Sequence, residues 1–309
     1  MKLLELMLPQ HMQSFLQEIL GTTIRVSHVK VAKRLDDYLV LLVSFPGTDQ
    51  RLVVKAAGRD APLASQFDRT AALHPLVYAR THIRMAEIFA ADTSLKAYPW
   101  RYLVKTYLPG VSFAQARQTM SQTEIANAFS QIGSAVGELH AIHFPAFGEL
   151  DANLGLKSGL KLLEALQERA RMIIKSIAHR ELYLEILEKR RAWFNGEGHS
   201  SLVHEDLHAY NLLFQRDTDV WQLATILDFD KAWAGPAESD LARLEFWRGM
   251  MHPQFWQAYL TISQVDEGYS ERRALYQLLW CLEYAEATEQ HLQDTQAVCR
   301  LLGIPEISY

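Results

Sequence analysis

The sequence predicts an α+β fold of two lobes, a small antiparallel-sheet N-terminal lobe over residues 1–107 and a larger, mostly helical C-terminal lobe over 108–309. Three observations lead there. Apolar, β-branched stretches follow one another closely between residues 24 and 57, with short connections, which reads as an antiparallel meander. Leu108-Pro109-Gly110 closes the strand-rich half, and the apolar residues beyond it recur mostly at helical spacing. Within that helical half, a polar loop ending at Asn211 precedes two apolar strands, the second of which ends in Asp228.

Element by element, residues 10–20 read as a helix stopped by Gly21. Ile24 to Val31 carries β-branched residues at 24, 26, 29 and 31 and reads as a strand. Tyr38 to Phe45 is a nearly continuous apolar run, Pro46-Gly47-Thr48-Asp49 is a turn, and Arg51 to Ala57 is a third strand. A helix over 62–80 has Ala64, Phe67, Ala71 and Leu73 on one side. A strand pair follows near 85–91 and 101–107, broken by Pro99. In the second half, Thr123 to His143 places Ile125, Ala128, Phe129, Ile132, Val136 and Leu139 in one stripe. Residues 157–194 form one or two amphipathic helices, 202–228 hold the loop and its strand pair, and 238–260 and 271–302 are helical and rich in aromatics.

The hydrophobic share of 49% and charged share of 22% are those of an ordinary globular protein. A formal net charge of −5 argues against a nucleic-acid partner, which calls for a basic surface. The two cysteines, Cys281 and Cys299, form no Cys-x-x-Cys pair, so a zinc site is unsupported; both read as buried small residues rather than a disulfide. The N-terminal Met1–Pro9 stretch lacks a long apolar core and a cleavage site, and no run approaches the length of a membrane span. A cytoplasmic enzyme with no membrane partner is the expectation.

The chemistry lies in His204-Glu205-Asp206-Leu207-His208-Ala209-Tyr210-Asn211. A hydroxyl attacking a γ-phosphate needs an acceptor for its proton and must be aimed in line, and a carboxylate on a rigid loop, Asp206, supplies both. The amide oxygen of Asn211 can reach a metal, while Leu212-Leu213-Phe214 anchors the loop as a buried strand. Ala224 to Leu227 is a second apolar strand that holds Asp228 at its end, where a carboxylate can bind Mg2+. A hairpin between these strands puts Asn211 and Asp228 at the same end. An ordinary polar loop is the competing reading, and two independent motifs together disfavour it. Asp230 fits a second metal contact, a substrate contact or a solvated acid. Lys55, on the third strand, can reach phosphates as a point charge. Such a lysine needs an acidic partner from the next helix, for which Asp68 and then Asp60 are the candidates.

With these residues in view, the chain resembles the aminoglycoside phosphotransferase and choline kinase-like family, relatives of the protein kinases. The likeness covers nearly the whole length. It rests on the loop from Leu202 to Leu213, on Leu227-Asp228-Phe229-Asp230 with Gly235-Pro236 and Asp240-Leu241-Ala242, on Tyr102 to Gly110, and on Gly137-Glu138-Leu139-His140. The resemblance implies a two-lobed protein kinase-like fold with ATP, or GTP as the alternative, in the cleft. It implies Asp206 as catalytic base and Asn211 and Asp228 as Mg2+ ligands. Lys55 would bind phosphate, and the backbone around Lys105, Thr106 and Tyr107 would bind the base. Asp240 would accept hydrogen bonds from the catalytic loop, with His204 and His140 as bracing histidines. Two departures stand out. Glu205 replaces the family's usual glycine, and Ala32 to Asp37 contains no glycine to cover a nucleotide, a feature this family often lacks.

The expected function is therefore ATP- and Mg2+-dependent transfer of a phosphoryl group to a hydroxyl of a small molecule, an antibiotic such as an aminoglycoside or a metabolite. The alternative, motivated by Glu205, is a nucleotide-binding regulatory protein with little transfer. Trp247, Trp256, Trp280 and Tyr284, with Glu283, Glu286 and Glu289, are candidates for a wall that binds a cationic acceptor, and Tyr276 falls on the same broad face. For any one of them, a core or solvated role is the commoner outcome.

Overall fold

The computed structural model describes residues 2–35, 37–61, 66–196, 198–284 and 286–309. The chain divides into two compact units. The first comprises Met1–Val111, Ala152–Leu154 and Ala224–Lys231, and the second Ser112–Asp151, Gly155–Leu223 and Ala232–Tyr309.

The first unit runs α1 (Pro9–Leu20), β1 (His28–Leu35), β2 (Tyr38–Ser44), β3 (Arg51–Gly58), α2 (Phe67–Arg80), β4 (Ile88–Asp92) and β5 (Trp100–Thr106). Its five strands form an antiparallel sheet in the order β1-β2-β3-β5-β4. Side chains alternate between faces along each strand. Leu39, Leu41, Val54, Ala56 and Val104 bury one face against Met12, Phe15 and Leu16 of α1. Tyr38, Ala57 and Leu103 on the other face pack with Phe67 of α2. Lys55 is opposite Leu103, and Lys105 is opposite Val53, so both lysines stand on this second face.

The strand expected over 24–31 begins only at His28. The reason lies in α1: the side chain of Gln13 accepts from the Val26 amide at 3.1 Å and Gln17 donates to the Ile24 carbonyl at 2.8 Å, so these backbone groups bond to a helix instead of a ladder. Ile24 and Val26 still pack on the core. The loop expected over 32–37 is largely strand, since β1 continues to Leu35; Asp36 lies outside the described residues. The helix expected over 62–80 is described from Phe67, and Ala64 is likewise outside. Gly21, at φ 63°, caps α1 in the left-handed conformation that glycine adopts without cost.

After β6 (Val111–Ser112), whose second residue opens it, the second unit contains α3 (Phe113–Ala116), α4 (Gln122–His140), β7 (His143–Phe144), α5 (Leu162–Ile173), α6 (Ile177–Lys189), β8 (Ser200–Val203), β9 (Leu212–Asp217), β10 (Val220–Ile226), β11 (Trp233–Pro236), α7 (Ala237–Phe246), α8 (Pro253–Tyr259), α9 (Tyr269–Leu282) and α10 (Glu289–Leu302). The last residues of β10 belong to the first unit. The predicted segment 157–194 is two helices, with Ser176 capping α6 by accepting from the His179 amide. The turn between β9 and β10 is tight, with only Thr218 and Asp219 between the strands. Thr218 and Asp219 both have positive φ, 47° and 92°, as a two-residue hairpin turn requires. Strands β8 and β11 pair antiparallel, with Val203 opposite Trp233, which fixes the point where the polar loop leaves the sheet. Antiparallel sheet in the first unit and helices in the second make the predicted α+β fold. Both cysteines are free and buried. Among the described residues no helix is long and apolar enough to cross a membrane.

Helices α4 and α8 approach closely at Gly133, where a Cβ would collide with the backbone carbonyl of Phe255. That contact sets His140, at the end of α4, against Tyr259 of α8, whose hydroxyl lies 3.0 Å from His140 Nδ1. Gly133→Ala gains about 1 kcal/mol of helix propensity, but the forced separation of the helices costs about 2 kcal/mol or more. Urea denaturation should show a net loss of stability; an unchanged midpoint would contradict the close packing.

Candidate active site

In the first unit the predicted lysine is buried and fully engaged. Lys55 donates to Asp228 Oδ1 at 2.5 Å and to Asp230 Oδ2 at 2.8 Å. Thr70 of α2 donates to Asp230 Oδ1 at 2.9 Å, and Arg69 donates to the Asp230 carbonyl at 2.7 Å. Asp228 has φ 69°, a strained setting for a side-chain-bearing residue. The expected acid from the helix is therefore corrected. Asp68 accepts from Thr93 instead, and Asp60 is exposed. The helix supplies a hydroxyl and a guanidinium that hold Asp230, and Asp230 does the work expected of a helical carboxylate. It is not a solvated acid. Arg69 and Thr70 gave no signal in the sequence, because neither matches the acidic residue that a phosphate-binding lysine calls for.

Burial opposes every charge in this cluster. Even so, Asp230 and Asp228 together hold the Lys55 ammonium well above its usual range. Burial also resists ionisation of Asp228, but the neighbouring Lys55 outweighs it and keeps this carboxyl below the ordinary range. Asp230 is pushed up, by burial and by the charge of Asp228 beside it. Two carboxylates share one ammonium, so the three groups titrate as a unit.

Of the three residues expected near a nucleotide base, Lys105 is buried on the same sheet face as Lys55. The Thr106 amide donates to the Glu87 carbonyl at 2.9 Å and the Tyr107 amide to the Arg51 carbonyl at 2.9 Å, so both amides are already bonded within the first unit.

In the second unit the loop after β8 is fixed by Asp240, which is fully buried. Its carboxylate accepts from the amides of His204 and Glu205, each at 2.7 Å, and lies 3.2 Å from His140 Nε2. Burial disfavours its charge, but the hydrogen bonds from His140 and from the His204 amide hold the Asp240 carboxyl below its usual range. His204, also fully buried, accepts from the Asp206 amide at 3.2 Å through Nδ1. Both histidines brace the loop. Glu205 has φ 63°, the region glycine enters freely, and its amide is in place despite the side chain. Asn211 Nδ2 donates to the Asp206 carbonyl at 2.9 Å and to Asp206 Oδ2 at 3.3 Å. Arg243, from α7, donates to Asp206 Oδ1 at 3.3 Å. The sequence reading missed Arg243, since an arginine after Asp240-Leu241-Ala242 carries no signal of its own.

Around Asp206 the aromatic residues form a connected series. His208 Nε2 is 3.9 Å from Asp206 Oδ2, and its ring is 6.0 Å from that of Trp247. Trp247 meets Trp280 at 5.2 Å, and Trp280 meets Tyr284 at 5.6 Å. Glu283 lies 3.6 Å from Arg243. Trp247 and Tyr284 are partly exposed, which leaves ring faces for a ligand. Other candidates are elsewhere. Trp256 packs on Phe255 and Tyr259 within α8. Tyr276 is buried and donates to Glu238 at 2.7 Å. Glu286 and Glu289 are exposed.

The donors suit a hard cation. Each unit by itself holds an oxygen donor of the right type, the Asp228 carboxylate in the first and the amide oxygen of Asn211, whose nitrogen is bonded to Asp206, in the second. Among the described residues there is no cluster of three or more His, Cys, Asp or Glu that could cage a metal. Mg2+ needs no such cage, because it binds one or two protein oxygens and completes its shell with water and phosphate.

A model of the phosphotransferase enzyme family matches residues 36–275. No curated protein matches the chain in sequence. Solved structures share its fold. A protein assigned as a fructosamine-3-kinase from Haemophilus somnus 129PT aligns at 17% identity over 94% of this chain and 96% of that one, with a TM-score of 0.67. The streptomycin–ATP complex of APH(2")-IIa aligns at 17% identity over 96% and 99%, with a TM-score of 0.63. An ethanolamine kinase from Plasmodium vivax aligns at 12% identity over 91% and 82%, with a TM-score of 0.58.

Burial, reinforced by the charge of Lys55, brings the Lys105 amine down to about 8. Lys105 thus holds its proton less tightly folded than unfolded. The folded state is penalised below that value, and the penalty is relieved as pH rises from about 8 toward the unfolded pKa of about 10.5. Lys105→Met should stabilise the protein at about pH 7 by on the order of 2 kcal/mol, and the gain should vanish near pH 10.5. Thermal melts across this range test it; a gain independent of pH would contradict it.

Proposed function

The chain belongs to the phosphotransferase enzyme family and is a small-molecule kinase, and we propose that it transfers the γ-phosphoryl group of Mg2+-bound ATP to a hydroxyl of a small cationic acceptor. The observation that carries this reading is the setting of Asp206. Its carboxylate is held at Oδ1 by Arg243 and at Oδ2 by Asn211, on a loop whose amides are bonded to a buried acid. A carboxylate held this way can orient an acceptor hydroxyl and take its proton as the bond to phosphorus forms.

In this reading the first unit handles the nucleotide. Lys55 addresses the phosphates, and Lys105 to Tyr107 lie along the base. Asp228 and Asn211 would hold Mg2+, which when bound offsets the charge that builds on the phosphate oxygens. Lys55 must then divide its ammonium between Asp230, which stays anchored to α2, and the incoming phosphate. GTP is the alternative donor. The acceptor meets Trp247, Trp280 and Tyr284, whose ring faces favour a cation. Fructosamine, streptomycin and ethanolamine, named with the fold relatives, all carry a basic nitrogen and a hydroxyl, which supports the acceptor class without choosing among them. The regulatory alternative drew on Glu205. It loses that motivation, because the Glu205 amide keeps its bond to Asp240. A soluble enzyme of the cytoplasm is the setting that suits this chemistry.

The experiment is a phosphate-transfer screen with Mg2+-ATP over these three acceptors, run beside Asp206→Asn. Transfer to at least one acceptor is expected, with turnover lowered by about 1,000-fold or more in the variant while the melting temperature stays close to that of the parent. Equal turnover in the two proteins would sink the assignment.

A further inference from the structure

Glu205 pairs an unfavourable backbone with a buried charge. Its φ of 63° would suit glycine, and the residue is only 4% exposed. Two costs at one position call for a compensating partner. The carboxylate accepts from Trp233 Nε1 at 3.0 Å and from the Ser239 hydroxyl, which fixes its plane. Its Oε2 lies 3.7 Å from Arg243 Nη2. Arg243 is itself 5% exposed and turns its other terminal nitrogen, Nη1, to Asp206 Oδ1 at 3.3 Å. A guanidinium is a rigid planar fork, so fixing one prong fixes the direction of the other.

We infer that Glu205 and Arg243 form a positioning pair for Asp206, in which the buried glutamate sets the plane of the guanidinium and the guanidinium sets the plane of the reacting carboxylate. The inference rests on the reading of Asp206 as the proton acceptor. Neither residue touches the acceptor in this role; both act through Asp206. Arg243 also faces Glu283 at 3.6 Å, beside Trp280, so the same guanidinium ties the carboxylate to the end of α9. The two substitutions at 205 separate position from packing. Glycine relieves the backbone and removes the carboxylate. Glutamine keeps an oxygen for Trp233 and Ser239 but loses the charge that orders Arg243.

The test compares wild type, E205G, E205Q, R243K and D206N. The readout is Mg2+-ATP with water as the acceptor and with streptomycin. E205G should stay folded, with the relief at φ 63° set against the acceptor lost by Trp233 and Ser239, and keep its KM for Mg2+-ATP within about twofold, yet lose kcat by about 10- to 100-fold. R243K should lose a similar factor, because an ammonium cannot reproduce the fork, and E205Q should fall between E205G and wild type. Wild-type kcat in a folded E205G overturns the inference and leaves Asp206 in its role. Wild-type kcat in D206N overturns that role, and the inference falls with it.

Discussion

The second unit is organised around one buried carboxylate. Asp240 sits in the first turn of α7, where the helix dipole favours a negative charge, and it accepts from two consecutive backbone amides, His204 and Glu205. An isolated charge without solvent would be costly; two amides and His140 make it tolerable. The same bonds hold Glu205 in the left-handed region and so decide where Asp206 leaves the loop. The support extends outward through His140 to Tyr259, and from there to the close packing of α4 on α8. A long chain of contacts therefore ends at Asp206, the proposed proton acceptor.

The first unit solves the corresponding problem with different residues. A buried ammonium must be balanced, and here the balance comes from Asp228 and Asp230 of one short segment rather than from a helical acid. The helix takes part indirectly, through Thr70 and Arg69. Such an arrangement makes Lys55 and Asp228 partners before any ligand arrives. In the proposed function, phosphate and Mg2+ compete for charges already paired, while Asp230 keeps the lysine in place. The design trades a strained backbone at Asp228 for a compact polar cluster on the sheet.

Much of this was legible in the sequence because it is carried by local pattern. The apolar runs at 38–45, 51–57 and 101–107 marked strands, and the stripe from Ile125 to Leu139 marked α4. The His-x-Asp loop was visible because its residues are close in the chain, and Asp240 entered through the family likeness. What stayed hidden depends on contacts between distant positions. Ile24 and Val26 have strand-like side chains, but α1 claims their backbone groups. Asp68 has the right charge and helix for Lys55 yet bonds to Thr93. Arg243 lies 37 positions from Asp206 and is unremarkable by type, so only folding reveals its place. Of the aromatics, Trp256 and Trp280 look equivalent in sequence, but one packs within α8 and the other beside Arg243.

Through its two amide bonds, Asp240 holds the loop that carries Asp206. Asp240→Asn tests it most directly. An asparagine at this position has one oxygen to offer where two amides need acceptors, and its NH2 group opposes the other amide. The measurement is kcat for phosphate transfer from Mg2+-ATP, together with the affinity for Mg2+-ATP by calorimetry. In the variant kcat should fall by about 100-fold or more while the nucleotide affinity stays within about threefold. A folded variant with kcat close to that of the parent would contradict it.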